Sequence, residues 1–129
     1  MSKDGIINRL LIENENWKQA LGFISKENSE LKTGLAEFLS TLDRTNYDVL
    51  EITENFQNLF IKEDETVRSF RIEIADQQKL LVRDLYEDGD LFHKVIMRQQ
   101  KLRKEFKKMK EGFKGIKSEF TKYVKNVKE

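Results

Sequence analysis

Few side chains in this sequence could carry acid–base, nucleophilic or metal chemistry. It contains one histidine, His93, and no cysteine, so it offers neither a thiolate nucleophile nor a zinc site built from several histidines or cysteines. Glu63, Asp64 and Glu65 are adjacent acids, and such runs usually form the solvated face of a helix. No glycine-rich phosphate loop, nucleophile elbow or His-Glu-x-x-His motif is present. We therefore predict a protein that is not an enzyme and that holds no cofactor or metal.

The elements that would position any site are helices. Three stretches repeat apolar residues at alternating spacings of three and four, the period of helices packed as in a coiled coil. The absence of proline suits long helices joined by short connections. We predict an all-α fold, an elongated up-down antiparallel bundle of three long helices that forms one domain over residues 1–129. The predicted helices span about residues 4–42, 46–87 and 91–127.

Turn signals between the apolar stripes set the expected helix ends. Thr45 or Asn46 is predicted to cap the second helix. Gly89 is predicted to follow the end of that helix, with Asp90 as the cap of the third. A four-helix alternative follows if the first helix breaks at Thr33-Gly34, where a glycine interrupts the pattern.

Polar side chains interrupt the stripes at heights that coincide. If the three helices begin and end together, Asn14 lies level with Gln77 and Gln99, and Asn28 lies level with Glu63. One interpretation is a buried polar layer that fixes the register of the helices at some cost in stability. A second is that these positions lean outward into water, and a third is that they are a degenerate or surviving ligand site. Amides are poor ligands for transition metals, which prefer imidazole, thiolate or carboxylate.

Charge is sorted along the chain. Residues 43–90 carry 6 basic and 13 acidic side chains, whereas residues 91–129 carry 13 basic and 4 acidic ones. One interpretation is internal, with the acidic second helix lying against the basic third helix. The other is a basic interaction face that points outward and meets an acidic protein, nucleic acid phosphates or an anionic membrane. This basic face consists of Lys101, Arg103, Lys104, Lys107, Lys108, Lys110, Lys114 and Lys117.

A protein partner is the favoured interpretation of the basic face. The apolar side of the third helix is needed for the core, which argues against a membrane, and a pI near 7.9 argues against nucleic acid. We predict protein–protein interaction or scaffolding, with self-association as one form of it, and no small-molecule substrate. Binding of nucleic acid or an acidic membrane through the third helix is the alternative. Since no signal peptide or membrane-spanning run is evident, the predicted location is cytoplasmic.

Three short segments resemble patterns in a group of small, loosely hemerythrin-like bacterial helical-bundle proteins. They are Glu15-Asn16-Trp17-Lys18, Glu54-Asn55-Phe56-Gln57-Asn58 and Ser118-Glu119-Phe120-Thr121-Lys122-Tyr123. In that group, histidines stand at the positions occupied here by Asn16, Asn55, Ile72, Gln77 and Ser118. The resemblance implies a helical bundle. Because none of those histidines is present here, it also implies a degenerate relative that has lost its metal ligands.

Overall fold

The computed structural model describes residues 2–42, 46–83 and 89–128, and these residues form three long helices. Helix α1 spans Lys3–Ser40, α2 spans Tyr47–Val82 and α3 spans Gly89–Lys128. At about 1.5 Å of rise per residue, each helix is a rod about 54 to 60 Å long. No strand occurs in the described part of the chain. The predicted all-α class and three-helix architecture are confirmed.

Contacts between the helices fix their directions. Leu10 of α1 packs in one cluster with Leu81 of α2 and Val95 of α3. At the other end, Leu35 of α1 packs with Phe56 and Phe120. Residue numbers therefore rise together along α1 and α3 and fall along α2. The bundle runs up, down and up, as the short connections predicted.

Helix α1 is continuous through the glycine at position 34. Ser2 caps its start, where the Ser2 hydroxyl accepts a 3.2 Å hydrogen bond from the Gly5 N–H. A Cβ built on Gly34 would lie 4.0 Å from the Phe120 ring, which is ordinary van der Waals contact. The helix holds its geometry here because its inner face is packed on both neighbours. The four-helix alternative, with a break at Thr33-Gly34, is therefore wrong.

Helix α2 is shorter than the sequence pattern suggested. Asn46 caps its start and accepts a 3.3 Å hydrogen bond from the Val49 N–H, whereas Thr45, the other predicted cap, lies outside the described residues. The helix ends at Val82 because Arg83 is extended, so the predicted end at residue 87 is wrong. Gly89 does not follow α2 as a cap. It is the first residue of α3, and Asp90 lies in the first turn of that helix. Residues 43–45 and 84–88 lie outside the described part of the chain.

The core is divided into three apolar sections by two polar levels. Asn14, Gln77 and Gln99 separate the first two sections, and Asn28 separates the second from the third. The first section contains Ile7, Leu10, Leu81 and Val95. The middle section contains Trp17, Leu21, Ile24, Val67, Phe70, Ile74, Leu102, Phe106, Met109 and Phe113. The last contains Leu35, Phe56, Phe60 and Phe120. Within the described residues, no helix combines the length and apolarity that crossing a membrane requires.

Candidate functional site

Asn14, Gln77 and Gln99 meet at one level in the centre of the bundle, and none of the three has any exposed surface. Gln77 donates from Nε2 to the Gln99 Oε1 at 3.0 Å and to the Val95 carbonyl at 2.8 Å. Gln99 in turn donates from Nε2 to the Asn14 Oδ1 at 2.8 Å. We call these three side chains the amide layer. Since one residue comes from each helix, the layer links all three.

The amide layer extends to the surface through an ion pair. Gln99 also donates to the Glu13 Oε1 at 2.8 Å. Arg103 donates from Nε to the Glu13 Oε2 at 2.7 Å and from Nη2 to the Glu13 Oε1 at 2.8 Å. Burial of Glu13 opposes its ionisation, but hydrogen bonds from Arg103 and Gln99, with the charge of Arg103, outweigh that effect and hold the pKa of Glu13 below its ordinary value. Arg103 is thus the member of the basic face that is tied to the polar interior.

Two polar atoms of the amide layer have no partner among the described residues. They are Nδ2 of Asn14 and Oε1 of Gln77. A buried amide group without a hydrogen bond costs roughly 1 to 3 kcal/mol. Amides also neither ionise nor attack near neutral pH. The layer therefore lowers stability relative to an apolar layer and offers no acid–base chemistry, which suits a role in fixing register.

The second polar level lies at the expected height. Asn28 donates from Nδ2 to the Phe60 carbonyl and to the Asp64 Oδ1, each at 2.8 Å, so it lies at the turn of α2 that contains Glu63. Asp64 is also paired with Lys32 of α1. Burial opposes ionisation of Asp64, but hydrogen bonds from Lys32 and Asn28, with the charge of Lys32, outweigh it and lower its pKa. Glu63 takes no part in this network.

Glu63 is a buried carboxyl group without a partner. Only 7 % of the residue is exposed, and its Oε1 is enclosed without a hydrogen-bond donor among the described residues. Burial raises the pKa of Glu63, and the negative charge of neighbouring Asp64 raises it further. The sequence pattern places Glu63 both among the polar residues that interrupt the stripes and in an acidic run on a solvated face. The second expectation is wrong for Glu63, because the residue is buried. The available signal was a carboxylate at a position where the apolar stripe is expected to face the core.

Glu63 lies in the wall of an open groove between α2 and α3. The groove has a volume of about 510 Å³ and a mainly apolar lining. We call it the α2–α3 groove. Its lining consists of Leu59, Lys62, Glu63, Thr66, Phe70, Glu105, Lys108, Met109, Gly112, Phe113 and Ile116. The groove therefore combines an apolar lining with a buried polar group that has no partner among the described residues.

The basic face is only partly used within the bundle. Arg103 pairs with Glu13 and Lys117 pairs with Glu27 at 2.8 Å, so both cross-helix pairs go to α1. Helix α2 does lie against α3, but the internal interpretation is wrong about their charges, because no ion pair joins these two helices in the described residues. The physical reason is that the acids of α2 point mostly outward, and its cross-helix pair, Asp64 with Lys32, also goes to α1.

The remaining members of the basic face are exposed. Lys101 lies 3.9 Å from Glu105 of its own helix, and the Lys110 ammonium lies 5.8 Å from the centre of the Phe106 ring. Four exposed lysines form no ion pair or hydrogen bond with any described residue. These four are Lys104, Lys107, Lys108 and Lys114.

The positions that carry the hemerythrin-like resemblance do not converge. Asn16, Asn55, Ile72 and Ser118 are exposed, whereas Gln77 is buried in the amide layer. Among residues 2–42, 46–83 and 89–128, no group of three or more histidine, cysteine, aspartate or glutamate side chains is arranged to hold a metal ion. A surviving metal site, which is one form of the third interpretation of the polar positions, would need such a group, whereas a degenerate site would not.

No protein-family model matches the chain, and neither the curated proteins nor the solved structures compared with it gave a match. The geometry of the amide layer, the α2–α3 groove and the basic face is therefore the basis for a functional argument.

Proposed function

We propose that this bundle is a non-enzymatic protein-interaction module whose basic face binds an acidic surface of a partner protein. The observation that carries the proposal is the direction of the cross-helix ion pairs. Arg103 and Lys117 pair with α1, and the lysines between them face solvent without acidic partners in the described residues. A row of unpaired like charges is an electrostatic cost within the chain, and a complementary surface relieves it.

The pattern of charge favours a protein over a nucleic acid or a membrane. Glu105, Glu111 and Glu119 are exposed on the same helix, among the lysines. The closely spaced phosphates of a nucleic acid repel these acids more strongly than the sparser carboxylates of an acidic protein do. The apolar side of α3 is also occupied, since Leu102, Phe106 and Phe113 lie in the core. Insertion of that side into lipid would therefore require the bundle to open.

The proposal is tested with fluorescently labelled poly-glutamate, duplex DNA and phosphatidylserine vesicles as probes. We expect poly-glutamate to bind at low salt and to dissociate as salt rises. The triple variant Lys104→Gln, Lys107→Gln, Lys114→Gln should weaken that binding. A control with the same loss of charge is Lys26→Gln, Lys62→Gln, Lys79→Gln, which removes exposed lysines of α1 and α2. Equal effects of the two triples, or tighter binding of DNA or vesicles, would contradict the proposal.

A second copy of the chain is a specific candidate for the acidic partner. Helix α2 exposes Glu51, Glu54 and Glu65, and two large apolar side chains, Ile61 and Ile72, are 46 % and 58 % exposed on the same helix. The basic face of one copy and this acidic, partly apolar face of another are complementary, and repeated contacts of this kind form rings or filaments. Sedimentation velocity at low and high salt distinguishes the cases. A monomer at all protein concentrations at low salt excludes self-association but leaves a different partner protein open to the poly-glutamate test.

A further inference from the structure

The α2–α3 groove has features that the interaction proposal does not use. Its lining is mostly apolar, with Phe70, Met109 and Phe113 among the side chains that form it. Its volume of about 510 Å³ is in the range typical of small-molecule sites. Such sites commonly combine an apolar lining with a few polar groups that orient the ligand. Glu63 is the polar group here that is both buried and unpaired.

The Glu63 carboxyl group lacks a counter-charge in the bundle. None of the ion pairs in the described residues includes it, although Lys62 and Lys108 line the same groove. On the α1 side, Lys32 is already held by Asp64. A buried carboxylate gains most from a cation that reaches it without bringing water, because attraction between charges is strong where water is excluded.

We propose that the α2–α3 groove binds an amphipathic amine, with the ammonium group at the Glu63 carboxylate and the apolar body along Phe70, Met109 and Phe113. An ammonium donates up to three hydrogen bonds and supplies the missing positive charge. A ligand with a carboxylate would place like charges together at Glu63, which is unfavourable. A neutral ligand gains from the apolar lining alone and leaves the carboxyl group unpaired.

The charged groups that line the groove favour an ammonium group over a carboxylate. Lys62 and Glu63 come from α2, and Glu105 and Lys108 come from α3. Asp64 lies next to Glu63 in sequence but is bonded to Asn28 and Lys32 of α1. The two lysines are exposed, so their charges are screened by solvent. Glu63 is buried, so its charge is screened much less and dominates at the wall of the groove.

The experiment compares octylamine with octanol, which has the same alkyl chain without the charge, by titration calorimetry at neutral pH. Octylamine should bind the wild type more tightly than octanol does. Glu63→Gln should weaken octylamine binding about tenfold to a hundredfold, which is the range expected for a hydrogen bond to a charged group. Octanol binding should be unchanged. Glu105→Gln, which removes an exposed acid from the same groove, is the matched control and should change neither affinity.

A second pair of variants tests the location of the apolar body. Gly112 lines the groove and Gly115 does not, and a Cβ added at either position meets no atom within 4 Å. Gly112→Leu should therefore weaken both ligands by occupying the groove, while Gly115→Leu should weaken neither. No binding of octylamine at millimolar concentration, equal affinity for octylamine and octanol, or unchanged binding in Glu63→Gln would each overturn the proposal. These variants leave Lys104, Lys107 and Lys114 intact, so failure here is distinguishable from failure of the protein-interaction proposal.

Discussion

Gln99 donates a 2.8 Å hydrogen bond to the Oδ1 of Asn14, and this bond joins α3 to α1 across 85 positions of sequence. Gln99 also accepts a hydrogen bond from Gln77, so it is bonded to both other members of the amide layer. A shift of any one helix by a residue would turn its amide away from the seam and place a buried polar group against apolar side chains. We therefore expect the layer to favour one register among the several that apolar stripes alone would allow.

Removing Gln99 alone should be more harmful than removing the whole layer. Gln99→Leu leaves the Asn14 Oδ1 without its donor in a site with no exposed surface. We expect a loss of about 1 to 3 kcal/mol in the free energy of unfolding. The triple variant Asn14→Leu, Gln77→Leu, Gln99→Leu removes all the unpaired groups together and should be close to wild type in stability, or more stable. Urea unfolding followed by circular dichroism measures both.

The triple variant also tests what the amide layer is for. If the layer fixes register, the triple leucine variant should keep its stability but adopt more than one arrangement of the helices. Sedimentation velocity would then show mixed oligomeric states, and the amide proton resonances in the NMR spectrum would broaden. A triple variant that is stable and monomeric and that gives sharp amide resonances would show that the apolar stripes alone specify the register of the helices.

The pair of Glu13 and Arg103 should stabilise the fold in a pH-dependent way. Folding lowers the pKa of Glu13, so its contribution is present above its ordinary pKa and is lost as the pH falls through the lowered value. The side chains are 25 % and 48 % exposed, so Arg103→Gln should cost only about 0.5 to 1 kcal/mol at neutral pH. The cost should shrink in acid. Lys104→Gln, one residue along α3, forms no such pair and should show neither the loss nor its pH dependence.

The helices and the amide layer could be predicted from the sequence because both follow from periodicity. Spacings of three and four place side chains on one face whatever the detailed packing, so Asn14, Gln77 and Gln99 could be aligned from the lengths of the stripes. The end of α2 could not be predicted in this way. The residues after Val82 contain no proline or early glycine, and Leu81 is the last buried residue of the helix in the described part of the chain. Without further burial, propensity alone does not prolong a helix.

The ion pairs and the α2–α3 groove depend on side-chain geometry that periodicity does not determine. Regional charge suggested that α3 would pair with α2, yet Arg103 and Lys117 reach Glu13 and Glu27 of α1. Positions a few residues apart on a helix differ in direction by a large part of a turn, so regional charge says little about which helix a given lysine faces. The unpaired state of Glu63 likewise depends on its immediate neighbours.

Exposed glycines within the helices should be replaceable with a gain in stability. A Cβ added at Gly22 or Gly115 meets no atom within 4 Å, and neither residue has a positive φ. Gly22→Ala and Gly115→Ala should each raise the free energy of unfolding by about 0.5 to 1 kcal/mol, mainly by restricting the unfolded chain. Because the sites lie on different helices, the double variant should show the sum. A loss of stability in either would mean that the glycine permits a local bend or a contact with another molecule.

Glu63→Gln should stabilise the fold at neutral pH, which is the opposite of the usual effect of altering a buried residue. Folding raises the pKa of Glu63, so the stability associated with its protonated form is fully present below its ordinary pKa and is lost as the pH rises through the raised value. The glutamine variant cannot lose a proton, so its advantage over the wild type should grow across that window and then level off. Urea unfolding at a series of pH values measures the difference. Glu65→Gln, an exposed acid two residues away, is the control and should track the wild type. A flat difference for Glu63→Gln would mean that a counter-charge already reaches the carboxylate in solution, and the amine proposal would then lose its physical basis.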